Sequence, residues 1–351
     1  MQKRAQSYAD VVYEVMKSAG RPLTFAEVFA AVNRHRPITT RDPKATIRNA
    51  LTQGRQLVSL GDGRYGYLPQ LLSGSLLRLV LTGEEAANER LVYTEEVRDA
   101  LWPSFFENQK RRSMRPVLAL LPGGNEVTLQ LDFFGRGVWG SRLSEGLRRY
   151  LAECLAAKGD SLLILVVDAE VGRCELSHEP RGRREEAALA KRNRELADAA
   201  RQLLRRGRSG EVPIWDLALT LLARGFYHAG VAPDPLEEVL RADPRIVYAG
   251  LDMWLPAEAV TPDVRASIRR REAMEVDLCE LADEPLVALE RISSALSFGD
   301  ATERVPADTC AGPPEQGFGS VDGARALLRK MLAGSSEQVG WSKHGQLKIQ
   351  A

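Results

Sequence analysis

Apolar residues at Tyr8, Val11, Val12, Val15 and Met16 follow the i, i+3, i+4, i+7 spacing of one helix face, and the run stops at Gly20. Arg21-Pro22-Leu23 reads as a short extended link. Thr24, with Glu27 three residues on, forms a capping box ahead of Val28, Phe29 and Val32 and predicts a second helix. Asp42-Pro43 is a cap followed by a proline at the first helical position. Ile47, Ala50 and Leu51 give the run after it a narrow apolar stripe, so a third helix is expected from about Pro43 to Arg55. Leu57-Val58-Ser59-Leu60 and Arg64-Tyr65-Gly66-Tyr67-Leu68 then flank Gly61-Asp62-Gly63, a turn of residues tolerant of positive φ, and read as a hairpin.

A similar series recurs later in the chain. Leu189, Leu196, Ala200, Leu203 and Leu204 form the inner stripe of a long helix expected over Glu186 to Arg206. A helix through Trp215, Leu217, Ala218, Leu221 and Leu222 follows, then one starting at Pro233-Asp234-Pro235. A hairpin of Ile246-Val247-Tyr248 and Met253-Trp254-Leu255-Pro256 turns at Ala249 to Asp252. Both series close on Leu-Pro, at 68–69 and 255–256. Between them, Leu76 to Leu81, Val117 to Leu121, Val127 to Phe133 and Leu162 to Val167 have strand-like content. Arg142 to Ala157 has helical spacing through Leu143, Leu147, Tyr150, Leu151 and Leu155.

Three helices and a hairpin make a winged helix, and the expected architecture is a multidomain α+β chain. It comprises an N-terminal winged helix over 1–72, a strand-rich α+β domain over 73–180 and a second winged-helix-like domain over 181–258. An acidic helical segment over 259–303 follows, then a linker and mobile tail over 304–351 that includes a short helix from about Val321 to Leu332.

Charge separates the two winged-helix candidates. From Arg41 to Arg55, four basic residues (Arg41, Lys44, Arg48, Arg55) stand against Asp42 alone, with Thr46, Asn49, Thr52 and Gln53 interspersed. Cations pair with phosphates, while Arg, Asn and Gln read base edges in the major groove. Lys44, Arg48, Asn49 and Gln53 are therefore assigned to bases, and Arg41, Arg55 and Arg64 to phosphates. The alternative is an ordinary solvated helix face. The corresponding helix of the second series carries Asp234, Glu237, Glu238 and Asp243 against Arg241, which disfavours entry into a groove and suits a protein contact or a homodimer interface.

The Arg-Pro-Leu of 21–23, the Asp-Pro-Lys-Ala-Thr-Ile of 42–47 and the Gly-Arg-Tyr-Gly of 63–66 resemble the HARE-type winged helix. That module occurs in the RNA polymerase delta subunit, in Asx-like chromatin proteins and in some restriction endonucleases. The resemblance covers about a fifth of the chain and implies contact with DNA or the transcription machinery, without implying a reaction. In the central region, a strand ending at Trp139, a helix through Tyr150, and Gly159-Asp160 leading into the strand Leu162 to Val167 resemble the B3-type pseudobarrel of plant transcription factors and certain restriction enzymes. Such barrels dock loops in the major groove, and here Lys110, Arg111, Arg112 and Arg115 lie close to Trp102, Phe105 and Phe106. Cations beside aromatics suit phosphate contact with base stacking; the alternative is a solvated loop over core aromatics.

Among 351 residues, 44% are hydrophobic and 27% charged, which allows two or three cores. No apolar run approaches a membrane span and Met-Gln-Lys-Arg leads into polar sequence, so no membrane association and a cytoplasmic location are expected. The formal charge of +1 conceals a division: residues 181–208 hold ten basic and four acidic groups, and residues 272–303 hold nine acidic and one basic. Cys154, Cys174, Cys279 and Cys310 form no C-x-x-C pair, and His35, His178, His228 and His344 show no ligand spacing, so neither metal nor cofactor is expected. Asp132, Asp168 and Glu170 suggest nuclease carboxylates, but Glu170 is followed by Val171-Gly172 without the lysine such enzymes carry two residues on. There is no phosphate-cradling glycine loop and no nucleophile elbow. Ser342-Lys343-His344-Gly345 sits in the polar tail, a poor place to hold a catalytic geometry. The expected function is binding of duplex DNA, as a transcriptional regulator or the recognition component of a restriction or defence system, without catalysis. The alternative is a protein-interaction adaptor contacting RNA polymerase or another protein, with a nuclease subunit third.

Overall fold

The computed structural model describes residues 6–53, 56–83, 85, 89–104, 114–134, 138–206, 211–228, 230–280, 338–341 and 347–350. The chain is mixed α+β with several small sheets and divides into two compact units, residues 1–268 and 269–351.

In the first unit, Val11, Val12, Val15 and Met16 are buried on one face of α1 (Tyr8–Ser18), which starts at a capping box between Ser7 and Asp10. A two-residue strand β1 (Leu23–Thr24) runs directly into α2 (Phe25–His35), where the expected Thr24–Glu27 capping box is formed. α3 (Pro43–Gln53) follows, then β2 (Leu57–Ser59) and β3 (Arg64–Tyr67). The strands form an antiparallel sheet in the order β1-β3-β2, with Leu23 opposite Tyr65 and Leu57 opposite Tyr67. Val12, Met16, Val28, Val32, Ile47 and Leu51 close a core of their own between the helices and this sheet.

Leu68-Pro69 opens a short helix, α4 (Leu68–Leu72), which leads into β4 (Leu76–Val80). Then come β5 (Arg90–Val92), α5 (Glu95–Leu101), β6 (Val117–Leu120), β7 (Glu126–Leu129), β8 (Asp132–Phe133), β9 (Trp139–Arg142), α6 (Glu145–Glu153), β10 (Ser161–Asp168) and β11 (Arg173–Glu179). Five of these strands make a sheet in the order β4-β10-β11-β6-β7, parallel only between β11 and β6. Three make a second sheet, β5-β9-β8.

The expected strand over 127–133 is therefore two strands in different sheets. β7 pairs with β6 and β8 with β9, and the chain crosses over at Gln130, whose carbonyl accepts a hydrogen bond from Ser141 Oγ at 2.7 Å. The strand expected to end at Trp139 begins there instead. Gly140 lets it lie flat on β5, since a Cβ at this position would collide with the carbonyl of Leu91. The helix expected over 142–157 is confined to Glu145–Glu153, because Ser144 caps it and Cys154 closes it. β11 went unexpected: only Cys174 and Leu176 face the core, and the intervening Arg173, Glu175 and Ser177 are exposed.

The second series begins with α7 (Glu186–Arg206), at the expected bounds. β12 (Val212–Pro213) runs directly into α8 (Ile214–Ala223), followed by α9 (Leu236–Ala242), β13 (Ile246–Tyr248) and β14 (Met253–Pro256). The sheet order β12-β14-β13 repeats that of the N-terminal series: first strand, third, second. Apart from a small cluster of Ala249, Leu255 and Ile268, the buried side chains of this segment belong to a core shared with the central region. Leu217, Ala218, Leu221, Leu222 and Trp254 belong to one continuous buried cluster with Leu77, Leu129 and Ile164 of the central sheet, because α8 packs against α4 and α5. Arg78, 3% exposed on β4, adds a polar tie. It forms an ion pair with Glu179 and donates to Ser161 Oγ at 2.9 Å and to the Ala232 carbonyl at 3.2 Å.

Helix α10 (Pro262–Glu280) crosses from the first unit into the second. The second unit also contains β15 (Gln338–Trp341) and β16 (Leu347–Gln350), antiparallel with Val339 opposite Ile349, within the segment expected as tail. The expected linker from Pro306 to Gly319 and the short helix from Val321 to Leu332 lie outside the described residues. No helix among the described residues is long and apolar enough to cross a membrane.

Candidate nucleic-acid interface

Helix α3 starts where Asp42 Oδ1 accepts a hydrogen bond from the Ala45 N–H at 2.9 Å. Ile47, Ala50 and Leu51 are buried against the rest of the N-terminal core, and this anchoring fixes which residues point outward. Arg41, Lys44, Arg48, Asn49 and Thr52 are exposed. The side chains of Arg41, Lys44 and Asn49 form no hydrogen bond or ion pair among the described residues. Arg48 leans over the Phe25 ring, its guanidinium carbon 5.3 Å from the centroid, which orients the cation without neutralising it.

Other sequence candidates are differently placed. The Thr46 hydroxyl is held by the Asp42 carbonyl and by Thr40 Oγ1, each at 2.9 Å, and serves the start of the helix. Arg64 is clamped by Asp62 through Nε at 2.8 Å and Nη2 at 2.6 Å, and this pairing holds the Asp62 carboxyl below its usual range. Arg115 donates to the carbonyls of Ala169 and Glu170, tying the start of β6 to the turn before β11. Trp102 is buried, and its indole N–H donates to the Arg115 carbonyl at 2.8 Å. Arg55, Lys110, Arg111 and Arg112, the aromatics Phe105 and Phe106, and the side chain of Gln53 lie outside the described residues.

The acidic helix of the second series is internally balanced. Glu237 pairs with Arg241 at 2.7 Å, Asp243 with Arg245 at 2.6 Å, and Asp234 exchanges two hydrogen bonds with the Asn193 amide at 2.7 and 3.0 Å. Leu236, Val239 and Leu240 are buried, so α9 is packed inward. Much of the basic stretch over 181–208 is also spent on structure. Arg184 faces Glu179 at 3.7 Å, Arg192 faces Glu195 at 2.9 Å, and Arg201 and Arg205 converge on Glu258 at 3.3 and 2.5 Å.

The three carboxylates considered for nuclease chemistry have separate duties. Asp132 faces Arg142 at 3.8 Å, Asp168 accepts the Val171 N–H at 2.9 Å, and Glu170 pairs with Lys17. His178 bonds Asp160 at 2.9 Å, and that carboxyl also receives the backbone N–H groups of Arg181 and Ala157, which lower its pKa. Among the described residues no group of three or more His, Cys, Asp or Glu is placed to hold a metal ion.

Two polar clusters carry no sequence signature. Glu96, Arg98 and Asp99 are 2%, 5% and 3% exposed on α5, a seven-residue helix too short for its periodicity to stand out. Arg206, Arg224 and His228 meet the β2–β3 turn in one cleft, although they come from opposite ends of the unit's sequence. No protein-family model, curated protein or solved structure matches the chain.

Proposed function

We propose that the chain binds duplex DNA, with α3 as the element that enters the major groove. The reading treats residues 7–67 and 186–256 as two winged helices. It is supported by the shared order of helix, strand, helix, helix, strand, strand and by the shared sheet order, in which the first strand pairs with the third. The resemblance of 21–23, 42–47 and 63–66 to HARE-type modules points the same way. The observation that carries the reading is the outer face of α3. Arg41, Lys44 and Asn49 are exposed and unengaged among the described residues, beside a ring-oriented Arg48, whereas the cations around α9 and along much of α7 are consumed by carboxylates.

On this reading Lys44, Arg48 and Asn49 meet base edges and Arg41 meets the backbone. Arg64 contributes to phosphate contact only after leaving Asp62, so its share is smaller than its place on the hairpin suggests. The second winged helix acts as scaffold, its third helix held against the central region. The biological setting is transcriptional regulation or target recognition in a restriction or defence system, and no reaction is assigned.

The test is fluorescence anisotropy of the full chain with random duplex DNA across a salt series. Affinity that falls steeply with salt, and falls further in a Lys44→Ala/Arg48→Ala variant, supports the proposal. Absence of binding at low salt removes it and leaves the protein-adaptor reading.

A further inference from the structure

The turn between β2 and β3 packs against the end of α8. Gly61 has a φ of +78°, which favours glycine, and Arg224 Nη2 occupies the space that a Cβ there would fill. Beside this contact lies a cleft of about 480 Å³ lined by Asp62, Arg64, Arg206, Arg224 and His228.

Its charge is unbalanced. Asp62 is already engaged by both donors of Arg64, while Arg206 and Arg224 have no ion pair among the described residues. Arg224 Nε is buried and has no hydrogen-bond partner among the described residues. Burial and the neighbouring Arg206 cation disfavour its charge and lower its pKa, against an opposing pull from Asp62. Two guanidinium groups lining one cleft, Arg224 partly buried and Arg206 exposed, suit a counter-charge with several acceptor oxygens. A phosphoryl group has that charge, and its oxygens suit the planar donor fork of arginine. Chloride would supply charge without the directional acceptors.

We propose that this cleft is a phosphoryl-binding site, with Arg206 and Arg224 as the binding residues and His228 as part of its wall. The phosphoryl group comes either from a nucleic-acid backbone or from a free phosphorylated small molecule. The proposal goes beyond DNA docking by α3 and stands independently of it, since none of the α3 residues lines the cleft.

The experiment is isothermal titration of inorganic pyrophosphate into the full chain at constant ionic strength. A saturable single site is expected, weakened roughly tenfold by Arg206→Gln and by Arg224→Gln, in line with loss of a charge-assisted contact. Arg194→Gln, an exposed cation of α7 outside the cleft, leaves it unchanged. Arg206 is exposed, so its variant carries the test if the Arg224 variant fails to fold. No saturable heat, or equal weakening by Arg194→Gln, overturns the site. A parallel anisotropy titration with duplex DNA identifies the source. Competition by pyrophosphate and weaker DNA binding by Arg206→Gln indicate the backbone. DNA binding indifferent to both indicates a free phosphorylated ligand. If the chain binds no DNA at all, the calorimetric result still decides the site.

Discussion

A carboxyl oxygen of Glu96 accepts a hydrogen bond from the backbone N–H of Leu236, 3.0 Å away and 140 residues later in the chain. Leu236 is the first residue of α9, whose opening N–H groups have no partner within the helix, and its preceding residue is a proline with no side-chain cap to offer. Glu96 therefore caps α9 from another part of the fold. Glu96→Ala leaves a buried N–H unsatisfied and is expected to cost about 1–3 kcal/mol by urea denaturation. Glu96→Gln retains an acceptor and is expected to cost less; equal losses for the two variants would mean that the hydrogen bond contributes little.

Asp99 gives the same cluster a pH dependence. Burial raises its carboxyl from 3.8 to about 7, against the opposing pull of Arg98 at 2.9 Å, and Glu95 and Glu96 nearby are shifted upward as well. The folded state then keeps a proton that the unfolded chain releases. This contribution to stability is present at low pH and is lost as pH rises from about 4 to about 7. Asp99→Asn should therefore gain on the wild type across that window, with a constant difference above it. Urea midpoints of both proteins at several pH values check this, and a gap that narrows with rising pH contradicts the assignment.

Gly140 is required by close approach. Its φ is unremarkable, but a Cβ would meet the Leu91 carbonyl where β5 and β9 pair. Gly140→Ala should destabilise the chain by about 1–3 kcal/mol, as overpacking does, with the loss read from the denaturation midpoint. An unaffected midpoint would show that the two strands separate without cost.

DNA affinity offers a finer test of α3 than presence or absence. Arg41→Ala should flatten the slope of log affinity against log salt by about 0.9, the value for one phosphate contact. Asn49→Ala should leave that slope intact and reduce discrimination among sequences. If the asparagine variant alone alters the slope, the division between base and phosphate contacts is wrong.

Elements with strong local signals were legible in the sequence. The capping box at Thr24 and Glu27, the long stripe from Leu189 to Leu204 and the paired hairpins all depend on residues within a few positions of one another. β11 and the break between β7 and β8 were not legible. A strand with half its residues charged resembles a loop, and a change of sheet leaves no mark on a continuous alternation.

For the candidate interface, the sequence by itself determined the sign of charge on α3 and which of its residues face outward, because Ile47, Ala50 and Leu51 leave one face free. It likewise determined the repeated order of helices and strands, since periodicity and caps are local properties. Only the tertiary structure decided which cations remain available. Arg205 meets Glu258 and Arg115 meets the turn after β10, while Arg224 comes to rest against Gly61 with no ion pair among the described residues. Only the tertiary structure joined the central region and the second winged-helix candidate in one core. Charge neutralisation and burial are set by neighbours distant in sequence, and a helical stripe records that a face is buried without recording what buries it.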